Sequence, residues 1–231
     1  MTKVYCNSRD EWLSAREHSI GGSDVSCIMG HGYKTALQLW QEKTGQKSSP
    51  DLSDDERIQM GVRCEPILRE LYEATRKDMD VDYEHDVLYR CDDPEFYFAH
   101  YSPDGLLEEK ETGRLGVLEI KTATCLSRAD WARWQNRIPD NYFEQVLWGM
   151  FVLEREFADV FALLKNSEGD FELRTYHFEK ADSIDYLNEM KQKAKEFWHI
   201  GGYGIIRGMR AKSIIGMKTT MSRGASEIGG A

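Results

Sequence analysis

Two short segments contain the residue types that metal-assisted chemistry at phosphorus requires. Ser102–Leu106 places Asp104 directly after a proline, and Gly116–Thr122 contains Glu119 and Lys121 separated by one residue. A strand alternates its side chains between two faces, so Glu119 and Lys121 are predicted to share a face. Two carboxylates offer the hard oxygen ligands that Mg²⁺ prefers, and a lysine can hold an attacking water or stabilise negative charge on phosphorus. The pattern therefore favours a metal-plus-general-base site.

The elements that must position these segments follow from a change of hydrophobic period near Asp80. Upstream, capping residues and helical spacing predict helices, including a long one that Pro66 should kink or divide. Downstream, apolar and β-branched residues predict strands over Val81–Arg90, Phe96–Tyr101, Leu115–Thr122, Phe157–Leu164 and Phe171–Phe178. Helices are predicted from Ser8 to about Glu17, over Val25–Met29, from Thr35 to Gly45, after a capping box at Ser53, and over Ser127–Gln135, Tyr142–Leu153 and Ser183–Trp198. This order of elements indicates an α/β or α+β domain.

The composition limits the class of protein. The chain has 231 residues, 41% hydrophobic and 30% charged, which is enough for one sizeable core. Its formal net charge of −10 argues against non-specific coating of nucleic acid or of an anionic membrane, but it is compatible with local DNA contacts beside a carboxylate metal site. The sequence contains no membrane-spanning run and no signal-peptide pattern, and five scattered cysteines without a C-x-x-C pair predict reduced thiols in a cytosolic protein. We expect one domain over residues 1–204 and a basic, Gly- and Ser-rich tail over 205–231.

A wider set of motifs occurs in one order along the chain. In that order they are Arg16 with Ile20-Gly21-Gly22-Ser23-Asp24, Tyr33-Lys34-Thr35, Leu39-Trp40, Glu42-Lys43-Thr44-Gly45, Gly61 with Glu65-Pro66, Ser102-Pro103-Asp104-Gly105, Leu118-Glu119-Ile120-Lys121, and Tyr142 with Gln145-Val146. The set resembles the phage lambda exonuclease branch of the PD-(D/E)xK nuclease superfamily, the YqaJ-like viral recombinases, over about residues 9–165. The short Pro-Asp and Glu-x-Lys motifs recur by chance, so the ordered set carries the resemblance. It implies an α/β (α+β) fold with a restriction-endonuclease-like core, in which helices flank a central mixed β-sheet.

The resemblance also implies roles at a metal. Asp104 and Glu119, helped by the main-chain carbonyl of Ile120, would ligate Mg²⁺, for which Mn²⁺ can substitute, and Lys121 would orient the nucleophilic water. Glu65 matches the family's additional acid near the metal. From the residues alone, each side chain has an ordinary alternative: Asp104 as a β-turn residue, Glu119 and Lys121 as the solvated face of an edge strand, and Glu65 as a helix-surface acid.

A second group of residues matches the positions that hold the 5′-phosphate of the degraded strand. Its members are Arg16, Ser23 and Gln145, and an Arg fork with a hydroxyl near a helix N-terminus is a good set of phosphate donors. Lys34 is a further candidate DNA contact. The alternatives are an Arg16 ion pair with an acid of its own helix, a helix cap at Ser23 or Asp24, a surface amide at Gln145 and a surface lysine at Lys34.

The activity that the resemblance implies is Mg²⁺-dependent 5′-to-3′ exonuclease digestion of double-stranded DNA ends, which releases mononucleotides and leaves 3′ single-stranded DNA for phage-type recombination. It also implies a ring-shaped homotrimer, a phage single-strand annealing protein as partner, and the cytoplasm of a bacterial host as the location. The alternatives are a PD-(D/E)xK endonuclease, either restriction-type or structure-selective, and a non-catalytic DNA-end binding protein. In a ring, the net charge of −10 predicts acidic outer loops, with Arg16, Lys34 and the basic tail facing DNA.

Overall fold

The computed structural model describes residues 1–50, 52 and 54–201, and the predicted basic tail over 205–231 lies outside this range. The strands are β1 (Thr2–Tyr5), β2 (Met79–Asp82), β3 (Val87–Arg90), β4 (His100–Tyr101), β5 (Gly105–Glu109), β6 (Leu115–Cys125), β7 (Phe157–Asn166) and β8 (Phe171–Glu179). The helices are α1 (Arg9–Glu17), α2 (Gly22–Met29), α3 (Ala36–Lys43), α4 (Glu56–Thr75), α5 (Arg128–Ala132), α6 (Asp140–Val152) and α7 (Ile184–Gly201). None of these helices is long and apolar enough to cross a bilayer.

The larger of two sheets is mixed and has the strand order β2-β5-β6-β7-β8. β6 and β7 run parallel, and the other neighbouring strands are antiparallel. Because parallel strands need a crossover connection, the chain passes through α5 and α6 between β6 and β7. The smaller sheet, β1-β3-β4, is antiparallel. The prediction of a central mixed sheet flanked by helices is confirmed.

The two faces of β6 contact different helices. Leu118 and Ile120 pack in a buried cluster with Leu68 of α4. The intervening side chains point to the opposite face, toward α6. Hydrophobic alternation along β6 therefore places Glu119 and Lys121 together beneath α6, as the spacing predicts.

The segment from residue 79 to residue 101 differs from its predicted form. The predicted strand Val81–Arg90 is two short strands, β2 and β3, which belong to different sheets. Asp86 lies between them with a φ of 57°, a left-handed conformation that interrupts an extended strand. The predicted strand Phe96–Tyr101 is a 3₁₀ turn over Pro94–Phe96 followed by the short β4. β1 and β5 are strands that the sequence interpretation missed, because such short segments carry little periodicity.

Pro66 does not divide the long helix, which is continuous from Glu56 to Thr75. Proline removes the hydrogen bond to the carbonyl four residues earlier, here that of Val62. Both residues are exposed, so water can satisfy the freed carbonyl. The N-cap of α4 is Asp55, which accepts a hydrogen bond from the Arg57 N–H at 2.9 Å, rather than Ser53, which lies outside the described residues.

A buried ion network fastens the end of α4 to β7 and β8. Asp159 is fully buried and accepts hydrogen bonds from the Tyr72 hydroxyl at 2.5 Å and from Arg76 at 2.6 Å. Its other oxygen lies 2.7 Å from His177 Nδ1, and His177 Nε2 lies 3.0 Å from Glu179. Burial alone would lower the pKa of His177, but the carboxylates of Glu179 and Asp159 raise it. The buried charge of Asp159 is therefore compensated on several sides.

Candidate active site

The turn that carries Asp104 docks against an edge of β6. The β5–β6 ladder ends at the pair Gly105–Leu118. Just beyond it, Asp104 Oδ2 accepts a hydrogen bond from the Ile120 N–H at 2.7 Å. A strand residue directs its N–H and C=O toward the same neighbour, so the Ile120 carbonyl faces the same edge. A carboxylate and a main-chain carbonyl are thus placed side by side.

Glu119 is a buried carboxylate that three side chains hold in place. Its Oε1 accepts hydrogen bonds from Lys121 Nζ at 2.5 Å and from Gln145 Nε2 at 2.6 Å, and its Oε2 accepts one from the Tyr101 hydroxyl at 2.5 Å. Only 2% of Glu119 is exposed, on a strand with neighbours on both sides. The alternative of a solvated edge strand is therefore wrong. Lys121 and Glu119 share a face, which confirms the prediction from alternation.

Lys121 is held between two residues that are one turn apart on α6. Its Nζ also donates to Gln145 Oε1 at 3.1 Å and lies 5.0 Å from the ring centroid of Tyr142. Burial alone would lower the pKa of Lys121, but the charges of Glu119 and Asp104 outweigh burial and raise it. The side chain is therefore an ammonium, suited to orient a water or to stabilise negative charge.

The carboxylates of this site repel one another. Burial raises the pKa of Asp104 well above its usual range, the charges of Glu119 and Glu65 raise it further, and Lys121 opposes them. Such a cluster favours either a proton or an added cation. The charge of Glu65 on α4 therefore acts on Asp104, and its place beside a metal stays a prediction.

Arg69 joins Glu65 to the Asp104 turn, and the sequence interpretation did not include it. Its NH2 group donates to Glu65 Oε1 at 2.5 Å and its Nε donates to the Asp104 carbonyl oxygen at 2.5 Å. Its guanidinium also lies 3.3 Å from the ring centroid of Tyr83. The Glu-x3-Arg spacing on a helix was the available signal. Tyr101, directly before Ser-Pro-Asp, was missed as well because its partner is distant in sequence.

The donor set fits a hard divalent cation. Over the described ranges, no three His, Cys, Asp or Glu side chains converge as a closed metal-binding group. Mg²⁺ does not require one, because it is usually bound by one or two carboxylates, with waters and substrate phosphate as further ligands. Asp104 and Glu119 supply two carboxylates, and the Ile120 carbonyl supplies a third oxygen at the same edge. The charges of Glu119 and Glu65 acting on Asp104 are the physical reason why this donor set would favour a cation.

Arg16 is available to an anion. It is half-buried on α1, with its guanidinium carbon 4.1 Å from the ring centroid of Trp12. In the part of the chain that the structure describes, no carboxylate lies within salt-bridge distance of Arg16, so the alternative ion pair within α1 is not formed. Burial lowers the pKa of Arg16, while the charges of Asp24 and Glu119 oppose this change. The guanidinium is thus within electrostatic range of Glu119.

The N-terminus of α2 packs against Gln145 and Tyr101, two residues that hydrogen-bond to Glu119. Asp24 accepts the Gly21 N–H at 3.0 Å and pairs with Lys43 at 2.8 Å. Asp24 therefore performs the capping role that was the alternative for Ser23, and Ser23 is exposed in the first turn. Gln145 packs directly against Gly22 at this helix end. A Cβ at position 22 would lie 2.7 Å from Gln145 Cγ, so only glycine permits this approach. Gln145 thus contacts both the α2 N-terminus and the Glu119–Lys121 pair.

The structure does not bring Lys34 into this group. Its Nζ lies 2.5 Å from Glu42 Oε2 of α3, an ion pair that occupies the ammonium. The surface-lysine alternative describes this arrangement better than a DNA contact does.

Comparison with known proteins supports the resemblance at two levels. The sequence model of the YqaJ-like viral recombinase domain matches residues 11–156, more than half of the chain. The chain is also 31% identical over 195 residues to the uncharacterized protein YqaJ of Bacillus subtilis strain 168, with 83% of this chain and 56% of that protein aligned. It therefore spans about half the length of this curated relative.

Solved structures share the fold. The alkaline exonuclease LHK-Exo of Laribacter hongkongensis superposes with a TM-score of 0.59 at 17% identity, covering 93% of this chain and 98% of that one, and its complex with dAMP gives 0.60. A phage-related exonuclease of Haemophilus somnus 129PT gives 0.53 at 11% identity, covering 78% of this chain and 93% of that one. These neighbours confirm the PD-(D/E)xK-like fold. The match to the domain model over residues 11–156 shows that the chain belongs to the YqaJ-like viral recombinase family.

Proposed function

We propose that this chain is a nuclease acting on DNA, and more closely a Mg²⁺-dependent 5′-to-3′ exonuclease on double-stranded ends that leaves 3′ single-stranded DNA. One observation carries the proposal. Gln145 contacts both the Glu119–Lys121 pair and the helix N-terminus that bears Ser23, so the candidate metal ligands and the candidate phosphate donors are linked through one side chain. Membership of the YqaJ-like viral recombinase family and a fold shared with an alkaline exonuclease support the proposal.

Asp104, Glu119 and the Ile120 carbonyl would hold the metal, with Glu65 beside them. When bound, Mg²⁺, or Mn²⁺ in its place, supplies Lewis acidity at the scissile phosphate. Lys121 positions the attacking water and offsets negative charge that develops on phosphorus. The Gln145 amide hydrogen-bonds to both the Lys121 ammonium and the Glu119 carboxylate, and it fixes their relative positions. This preorganisation is the main contribution of the protein, because little covalent chemistry is left to side chains.

The neighbouring donors account for a preference for ends. Arg16, Ser23 and the α2 N-terminus would bind a terminal 5′-phosphate, using a guanidinium, a hydroxyl and main-chain N–H groups. A terminal phosphate bound there would place the next phosphodiester at Lys121. An interior phosphate lacks the free terminal oxygens that these donors would bind, so it would be held less well. This geometry favours an exonuclease over an endonuclease.

Assembly, partner and location belong to the same proposal. A ring-shaped homotrimer would surround the DNA and keep the enzyme on one strand, and a phage single-strand annealing protein would receive the 3′ strand. The place of action would be the cytoplasm of a bacterial host. These points rest on the family resemblance, and sedimentation of the purified chain measures the first of them directly.

The test compares four substrates in Mg²⁺ and in Mn²⁺: linear duplex with 5′-phosphate, linear duplex with 5′-hydroxyl, nicked circles and closed circles. Loss of linear DNA with release of mononucleotides, faster with a 5′-phosphate, is the expected result. Cutting of closed circles would instead establish an endonuclease, and end binding without cutting in either metal would establish a binding protein.

Lys121→Ala should lower cleavage about 100-fold or more while retaining DNA binding. Lys110→Ala, which changes a lysine near the far end of β5, is the matched control.

A further inference from the structure

Tyr33 is an aromatic side chain that projects into solvent beside the candidate active site. It is 82% exposed. Its hydroxyl lies 2.7 Å from the hydroxyl of Tyr142, whose ring centroid is 5.0 Å from Lys121 Nζ. The faces of an exposed aromatic ring are not packed against other side chains. A ring that is held next to a reactive group can therefore stack on a flat ligand.

The loop that presents Tyr33 is held at both ends. His31 and Gly32 donate main-chain hydrogen bonds to the Ser26 carbonyl at 2.9 and 2.8 Å. Gly32 packs so closely that a Cβ there would lie 2.6 Å from the Cys27 nitrogen. On the other side, Thr35 caps α3 through the Gln38 N–H at 3.2 Å. The ring is therefore presented by a preorganised backbone, which lowers the entropy cost of binding.

The order of side chains along α6 sets the position of Tyr33 relative to the chemistry. Gln145 contacts Gly22, the residue before Ser23 at the α2 N-terminus, and Tyr142 lies about one helical turn away on α6 with its ring beside Lys121. With the 5′ end at Arg16 and Ser23 and the scissile phosphate at Lys121, as the proposed function has them, Tyr142 and Tyr33 are the aromatic side chains next to the following nucleotide.

We propose that the ring of Tyr33 stacks on the nucleobase that follows the scissile phosphate, the second nucleotide from the 5′ end. This inference rests on the proposed function and names a substrate contact within it. The ligand class is a nucleobase of any identity, because every base has a π-face and stacking is tolerant of sequence. Tyr142 supports the ring through the hydroxyl–hydroxyl contact and itself packs on Trp134, with centroids 5.6 Å apart.

Two variants distinguish the contribution of the Tyr33 ring from that of its hydroxyl, and a third is the control. Tyr33→Ala should raise KM for 5′-phosphorylated linear duplex about 5- to 150-fold, the usual effect of losing one stacked base, with a smaller change in kcat. Tyr33→Phe keeps the ring and loses the contact with Tyr142, and it should stay within about threefold of the wild-type KM. Tyr5→Ala is the control, since Tyr5 is another exposed tyrosine but lies on β1 of the smaller sheet. Thermal melts of all variants verify folding.

A spectroscopic measurement gives the position of the contact. In a Lys121→Ala background, 2-aminopurine is placed at the first, second or sixth nucleotide from the 5′ end, and its fluorescence is read on binding. Tyr33→Ala should relieve quenching at the second position only, and Tyr33→Phe should retain it. Equal KM values and equal quenching for the wild type and Tyr33→Ala would overturn the inference, as would a Tyr33→Phe loss as large as that of Tyr33→Ala. If the wild-type protein cleaves no DNA end, the proposed function fails, whatever Tyr33 does.

Discussion

Replacement of Arg69 by lysine tests whether the proposed metal ligands depend on the side chains that contact them from α4. Arg69 reaches Glu65 with one nitrogen and the Asp104 carbonyl oxygen with another. Lysine keeps the positive charge, so the electrostatic attraction of the site for a cation is nearly unchanged. A single ammonium cannot reproduce the planar fork that spans two elements, so one of the two contacts is lost.

The magnitude follows from these contacts. A hydrogen bond to a charged group contributes about 1.5–3 kcal/mol when the donor is as well buried as Arg69, whose side chain is 12% exposed. For a chain of this length, that loss lowers the melting temperature by about 3–12 °C. Residues that orient metal ligands typically change metal affinity about 10- to 100-fold when replaced. We expect Arg69→Lys to weaken Mn²⁺ binding about tenfold or more.

The assay is calorimetric titration of Mn²⁺ into the protein without DNA, together with a thermal melt. Arg76→Lys is the matched control because Arg76 lies just past the end of the same helix and uses its fork on Asp78 and Asp159, away from the candidate ligands. It should lower the melting temperature without changing the Mn²⁺ affinity. If Arg69→Lys loses stability but binds Mn²⁺ within twofold of the wild type, the claim that Arg69 positions the metal ligands is refuted.

Three further predictions concern other parts of the molecule. Arg16→Ala should reduce cleavage of 5′-phosphorylated ends about 10- to 100-fold and leave 5′-hydroxyl ends nearly unchanged in matched rate measurements, whereas equal losses on both ends would remove Arg16 from the phosphate group. Tyr101→Phe should lower the free energy of unfolding by about 2 kcal/mol in a urea titration, because the buried Glu119 Oε2 loses its donor, and an unchanged urea midpoint would contradict the structure. His177→Asn should destabilise the protein most below pH 6.5. The pKa of His177 is raised, so its charged form stabilises the fold at low pH, and this contribution disappears as the pH rises through the raised pKa. Urea titrations at pH 5.5 and pH 9 should therefore show a difference between the wild type and this variant that shrinks with pH, and a constant difference would disprove the linkage.

The local part of the site could be predicted because it depends on covalent geometry. Side chains two residues apart on a strand must share a face, so the contact between Glu119 and Lys121 followed from spacing alone. Helix caps were predictable for the same reason, as at Ser8 and Thr35. The prediction failed at Val81–Arg90, where one left-handed residue, Asp86, turns a strand-like pattern into two strands of different sheets.

Contacts between distant parts of the chain were decided by the tertiary structure. Tyr101 holds Glu119 across 18 residues, Gln145 holds it across 26, and Arg69 reaches Asp104 across 35. No periodicity specifies such partners, because they depend on which strands neighbour β6 and on the crossover that lays α6 over it.

The sequence by itself therefore determined the chemistry of the site, the side-chain alternation that pairs Glu119 with Lys121, and the family to which the chain belongs. The fold alone decided that Glu119 is buried, that Asp24 rather than Ser23 caps α2, and that Lys34 is paired with Glu42. The physical reason is that alternation and capping act within a few residues, whereas burial and ion pairing depend on the packing of the whole sheet and its helices.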